Sequence, residues 1–234
     1  ERGSVGGVFG NMPNHHDYHT TTNVSIKDSN ITSTAAGVSY IGGISGLGDC
    51  NYCYVDNVEV TGARYVGGMT GYQRAYYDTG NKVVNSRVNV SEYFGGGMYG
   101  QGLYVYDSNV NDTIVTTLND STYGAGGISG YKNAYNHRSC GVTNVTVTGN
   151  GSEHGGLVGR MTGGTLASSY VQDSTINGAN MVGGIAGTHT GGTIAYTNLS
   201  RSLVNATDAY AGGIVGLFGN TEGSHGAVRQ SFVA

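Results

Sequence analysis

The chain has one proline in 234 residues, no tryptophan, and only 11% charged residues. A globular domain carries ~25% charge, so charge–charge networks contribute little here. Scattered Lys and Arg with a net charge of −4 exclude the basic footprint of a nucleic-acid or anionic-membrane binder. No apolar run approaches the ~20 residues that span a bilayer as a helix. What is plentiful is glycine, 43 residues, together with 18 tyrosines and many Val, Ile and Thr. Collagen needs Gly at every third place with abundant Pro, and disorder needs few β-branched or aromatic residues, so both are excluded. The chain opens at Glu1 rather than Met, as expected of a processed or truncated product.

Glycine is organised. The string GG-apolar-x-G begins at Gly6, Gly42, Gly67, Gly96, Gly126, Gly155, Gly183 and Gly212, at spacings of 25 to 36 residues. A second string, V-x-D/N-S/V-x-V, interleaves with it from Ile26, Val55, Val83, Val105, Val142, Val171, Leu199 and Val228. Arg201 and Gln230 depart from it at the third place. Two motifs in step along the whole chain define a tandem array of a unit near 29 residues.

Apolar residues five apart would point to opposite faces of a straight strand, so the second motif must bend to keep both inside. Asp, Asn and Ser at the bend favour turns. The GG pair permits positive φ or close backbone approach. No segment carries a 3.6-residue apolar period. One coil per repeat gives an all-β fold, a parallel β-solenoid of about eight glycine-rich coils in a single domain, residues 1–234.

The strings GGIAG, GGIVG and GGLVG resemble the GLUG motif of bacterial surface proteins and adhesins. Residues 151–234 match best and weaker copies reach back to Gly6. The resemblance implies a parallel β-solenoid at the cell surface or outside the cell, without implying an activity. The Tyr-rich insertions after Gly71, Gly100 and Gly130, and the His residues of the first loop, depart from it.

The first ten residues carry a GG half-repeat, and 226–234 carry a half of the second kind. With a second copy joined after Ala234, Gly6 falls twelve residues beyond Val228, the usual distance between the motifs. Neither end has a polar cap, and an open coil templates another strand. Head-to-tail contact through Val5, Gly6, Gly7, Val8, Phe9, Val228, Ser231, Phe232 and Val233 is therefore expected, and a non-closing contact of that kind makes a fibre. A stretch excised from a longer array would have the same ends.

Sites for chemistry are sparse. HExxH and GxSxG are absent. Asp28, Asn57, Asn85, Asp107, Asn144 and Asp173 share a repeat position, read as a turn-forming ladder rather than the paired acids of a polysaccharide-cleaving enzyme. His15, His16 and His19 lie one repeat before Cys50 and Cys53, a set suited to zinc or copper but equally to a polar loop, and no cofactor or metal is assigned. Cys50 and Cys53 either form a small disulfide or stay thiols; Cys140 is expected free. N-glycosylation sequons stand at Asn23, Asn30, Asn89, Asn111, Asn119, Asn144, Asn150, Asn198 and Asn205, with Asn89, Asn111 and Asn205 read as outward. Tyr72, Tyr76, Tyr77, Tyr104, Tyr106, Tyr131 and Tyr135 read either as loop residues packed against the solenoid wall, the plainer reading, or as one aromatic strip on a flank.

The expected role is a non-enzymatic structural subunit of an extracellular or surface filament, its partner being itself. The alternative is an adhesin stalk or glycan-binding module using the Tyr-rich loops. A polysaccharide-acting enzyme comes third.

Overall fold

The GG pair acts through sterics rather than unusual dihedral angles, since none of the paired glycines has a positive φ. A Cβ on the first glycine of each pair would lie 1.9–2.3 Å from the carbonyl oxygen three residues ahead. A Cβ on the second would meet the carbonyl of the corresponding glycine one coil on, as at Gly43 with Gly68 (2.1 Å). Only bare backbone fits that corner.

Two other corners are built from a left-handed residue. One ladder runs Asn23, Tyr52, Gly80, Asp107, Ser139, Ser168, Tyr196 and Gln230; the other runs Asp28, Asn57, Asn85, Asp112, Asn144, Asp173 and Arg201. All have φ between 45° and 68°, a region Asn, Asp and Gly tolerate best. Where Ser follows, its hydroxyl closes the turn by donating to the carbonyl two residues back. Ser86 Oγ donates to Val84 O (2.6 Å) and accepts the Val58 N–H of the preceding coil (3.2 Å). Ser108 does the same at the other corner, donating to Tyr106 O (2.7 Å) and accepting the Asn81 N–H (3.2 Å).

The computed structural model describes residues 3–12, 20–35, 37–74, 77–219 and 226–234. Between these corners run short strands, and every strand pairing among the described residues is parallel, one coil apart. Each coil has five sides. The first side is a ladder of eight strands from Gly3–Gly6 to Ala211–Gly212, and the second a ladder of eight from Phe9–Asn11 to Val215–Phe218. The third begins with Thr20–Thr22 on Asp49–Asn51 and continues as six strands from Tyr77–Thr79 to Gly226–Arg229. The fourth and fifth share one sheet folded at the Asn/Asp corner. Tyr54–Gly62 passes through that corner unbroken, whereas Lys82–Val84 and Arg87–Val90 divide at it. Seven full turns separate Gly3–Gly6 from Ala211–Gly212, and 226–229 with Phe232–Val233 supply part of an eighth.

The β-solenoid expected from the repeats is thus the fold, and its core follows the two motifs. The apolar residue after each GG is fully buried in the interior coils, as at Ile44, Met69, Met98, Leu157 and Ile185. The Val columns of the fourth and fifth sides, Val83, Val110 and Val142 with Val88, Val115 and Val147, face them across the interior. Burying one such side chain stabilises by ~1.5–3 kcal/mol.

Two copies of the second motif sit one corner early. Val105 pairs with Asp78 and His137, and Val228 with Ile194, all on the third side. The copy in register is VNDTIV from Val110, which pairs with Val83 and Val142. Asp112, not Asp107, therefore belongs with Asn85 and Asn144. Both corners use the same left-handed-residue–Ser turn, which is why the strings look alike.

Candidate functional site

The ends of the stack come first, because the expected self-contact lies there. Val5 and Gly6 pair with Ile41 and Gly42 on the first side, and Phe9 with Ser45 on the second. Val228 pairs with Ile194 on the third side, Phe232 and Val233 with Asn198 and Leu199 on the fourth. No described strand pairs with the outer edges of these strands, and the two ends display apolar side chains: Val8, Phe9, Phe232 and Val233 are 44, 41, 57 and 56% exposed. Gly7 leaves room beside Ile26, and Ser231 Oγ accepts the N–H of Thr197 (3.2 Å).

The two edges therefore occupy different sides of the solenoid and do not face one another. In an in-register stack, Gly3–Gly6 and Phe9–Asn11 would meet Ala211–Gly212 and Val215–Phe218, a surface that includes exposed Phe218 and was not read from the sequence. The junction spacing is corrected too. Val228 lies on the third side, where Leu166 and Ile194 stand seventeen and eighteen residues before the next GG, against twelve across a direct join. The difference is the fifth side, which is seven strands deep and ends at Leu203–Ala206. A cavity of about 300 Å³ opens there, lined by Leu199, Val204, Ala211, Gly213 and Val233 among others.

The Asn/Asp ladder is a bonded structure. Asn57 Nδ2 donates to Asp28 Oδ1 (2.6 Å), Asn144 Nδ2 to Asp112 Oδ1 (2.7 Å), and Arg201 makes a two-pronged pair with Asp173 (2.7 and 2.9 Å). The Arg201 pair, with a further hydrogen bond from Gln172, holds the Asp173 carboxyl down at about 2. Asp28, Glu59 and Asp112 line the groove of about 480 Å³ along this corner. Each accepts a hydrogen bond from an Asn one coil on, so they serve as rungs of the ladder.

All three cysteines are free and buried, so the disulfide considered for Cys50 and Cys53 is not formed. The two flank the left-handed Tyr52, and both thiols turn into the core, where Cys50 Sγ lies 3.5 Å from Thr70 Oγ1 and Cys53 Sγ 3.5 Å from Thr21 O. Their mutual hydrogen bond raises the Cys50 thiol and lowers Cys53 to about 7, while burial pushes Cys140 up to about 12. Access rather than acidity governs reaction here. Ellman's reagent is expected to titrate no thiol in the native protein and three after unfolding in guanidinium. Rapid reaction of a native thiol would contradict this packing. Among the described residues no group of three or more His, Cys, Asp or Glu is placed to hold a metal. His15, His16 and His19 lie outside the described residues.

The sequon asparagines are spread over several sides. Asn23, Asn30, Asn119, Asn144, Asn150 and Asn205 are exposed; Asn89, Asn111 and Asn198 are half-buried. Asn89 and Asn205 lie on the fifth side, but Asn111 lies on the fourth because its motif is the shifted one. Asn89 Nδ2 donates to Glu59 Oε1 (2.9 Å) and Thr61 Oγ1 (3.0 Å), and Asn144 is held by Asp112.

The seven tyrosines do not make one strip: those described fall in two clusters. Tyr77, Tyr104, Tyr106 and Tyr135 stack on the third side and its approach, with Tyr104 and Tyr135 centroids 4.2 Å apart. Tyr72 and Tyr131 stand on the second side, beside Tyr40, Tyr65, Tyr93, Phe94 and Tyr123. Those preceding-loop and first-side rings share offsets from the glycine motif, Tyr40, Tyr65 and Phe94 two residues before the GG pair and Tyr93 and Tyr123 three before, a signal present in the sequence. Tyr76 lies outside the described residues. Among the described residues no helix is long and apolar enough to cross a membrane.

Comparison of the chain with family models, curated proteins and solved structures finds no match.

Proposed function

We propose that the chain is a non-enzymatic structural solenoid of an extracellular or cell-surface filament, extended by pairing of coils between copies. The observation that supports this reading is the sameness of edge and interior. The outermost strands of the first and second sides carry the same glycine corners and inward apolar residues as the coils between them, and no described strand pairs with their outer edges. Such an edge accepts a parallel strand of its own kind. Four sides of one copy then continue onto the next, while on the fifth Leu203–Ala206 stands one strand away from its counterpart. The resemblance to GLUG repeats supports a surface setting.

Electron microscopy of the purified protein at neutral pH tests this. Eight coil levels at ~4.8 Å give an axial step of about 38 Å per subunit. Filaments with that step, shortened or lost in Phe9→Asp and Phe232→Asp variants, are expected. Discrete particles at high concentration would sink the filament and favour the stalk of a surface adhesin.

A further inference from the structure

The aromatic cluster between the first and second sides forms a site. Strand register aligns Tyr40, Tyr65, Phe94 and Gly124 in one column of the first side. It aligns Tyr72, Gln101, Tyr131 and Arg160 in the neighbouring column of the second. Tyr93 and Tyr123 enter from the preceding loops, Tyr123 tied to Tyr93 by its backbone N–H (3.0 Å). Where the first column reaches Gly124 it lacks a side chain, and Phe94 leans over that glycine, 3.1 Å from where a Cβ would stand. The result is a pocket of about 280 Å³ lined by Tyr65, Tyr93, Phe94, Tyr123, Tyr131 and Arg160. Phe94 is buried, whereas Tyr93 and Tyr123 are exposed.

The rings are mutually braced. Tyr93 stacks on Tyr123 (5.4 Å) and on Tyr65 (6.3 Å), and Phe94 stacks on Tyr131 (4.9 Å). The Arg160 guanidinium lies over Tyr123 (5.4 Å) and Phe94 (5.8 Å). Its charge is cancelled by buried Glu153, which it grips with two N–H groups, one bond at 2.6 Å. Of five guanidinium N–H donors, three remain for other acceptors. Ring faces, phenol tips and a fixed, charge-compensated donor are thus combined in one concave place.

We propose that this pocket binds a neutral carbohydrate, its chain running along the solenoid axis over Tyr65, Tyr93 and Tyr123. A sugar ring has an apolar C–H face to lie on the tyrosines and hydroxyls to meet the guanidinium and phenols. The Glu153–Arg160 pair argues against an acidic ligand, because no net positive charge is available to it. The three tyrosines come from successive coils, their ring centroids 6.3 Å (Tyr65–Tyr93) and 5.4 Å (Tyr93–Tyr123) apart, so a chain running along the axis meets one tyrosine per coil.

The test is an array of neutral and acidic oligosaccharides probed with the intact chain, followed by titration calorimetry with the neutral hexasaccharides that bind. Neutral ligands are expected to bind, and Tyr93→Ala with Tyr123→Ala is expected to weaken them at least tenfold. Tyr77→Ala with Tyr135→Ala, in the other aromatic cluster, is expected to leave binding unchanged. Circular dichroism of each variant confirms the fold. Three results overturn the proposal: no neutral glycan bound, preference for acidic glycans, or binding unaffected by loss of Tyr93 and Tyr123. Self-association that needs those tyrosines, without glycan binding, would assign the pocket to a second copy instead. None of these outcomes depends on whether filaments form.

Discussion

Gly155→Ala is expected to destabilise the protein by about 3 kcal/mol or more, among the largest effects of any single added methyl group in the chain. Its Cβ would stand 1.9 Å from Val158 O and 2.8 Å from Gly187 N. Both obstacles are backbone, one belonging to the same corner and the other to the next coil, so no side chain can swing aside. Relief requires shifting a strand held by parallel ladders on both of its edges, through Gly126 and Gly183. Gly37→Ala is the matched control, because nothing lies within 4 Å of its added carbon. That change is expected to fall within about 0.5 kcal/mol of wild type. Urea unfolding of the three proteins measures the difference, and equal midpoints for G155A and G37A would show that the corner yields.

The second large effect concerns pH. Lys132 is fully buried, and burial brings its amine down to about 7. Its Nζ donates towards the carbonyls of Gly163 (2.7 Å), Tyr135 (2.8 Å) and Ala134 (3.4 Å). An unfolded lysine titrates near 10.4. Between about 7 and 10.4 the unfolded chain holds a proton that the native chain has released, so stability rises with pH through that window. From pH 7 to pH 10 the gain is about 3 kcal/mol. The buried His137 and His189 nearby are held below their ordinary range chiefly by burial and then, among other influences, by Lys132. They are neutral in the native state throughout the window and almost wholly so in the unfolded chain above about pH 8. Other groups titrate above pH 8, so the informative quantity is the stability of wild type minus that of Lys132→Met. It is expected to grow by that amount from pH 7 to 10. A constant difference would mean that the three carbonyls keep the amine charged.

The sequence displays the fold because each corner has its own steric signature. A GG pair repeated near every 29 residues marks the corner where no Cβ fits, and Val, Ile, Leu or Met after it marks the core. Register was harder to read. VYDSNV and VVNSRV both contain a left-handed residue and a Ser that bonds two residues back, yet they occupy different corners. Only their strand partners separate them, and a partner lies some 29 residues away in the sequence. The same error moved Val228 to the wrong side and made the chain ends look in phase. The aromatic pocket was only partly legible. Tyr65 and Phe94 stand two residues before their GG pairs, Tyr93 and Tyr123 three before and Tyr131 five after, and it takes the path of the coil to bring these three offsets to one place.

The parallel ladders have a mechanical consequence. The hydrogen bonds between coils run along the solenoid axis, so axial tension opens them directly instead of shearing them. Among the described residues the strands of each coil pair only with those of its two neighbours. A pulled solenoid therefore gives way one coil at a time from an end. Each release frees about 29 residues, roughly 100 Å of extended chain. Under load the molecule would behave as a reel that pays out line in even lengths, and its remaining coils would keep their shape.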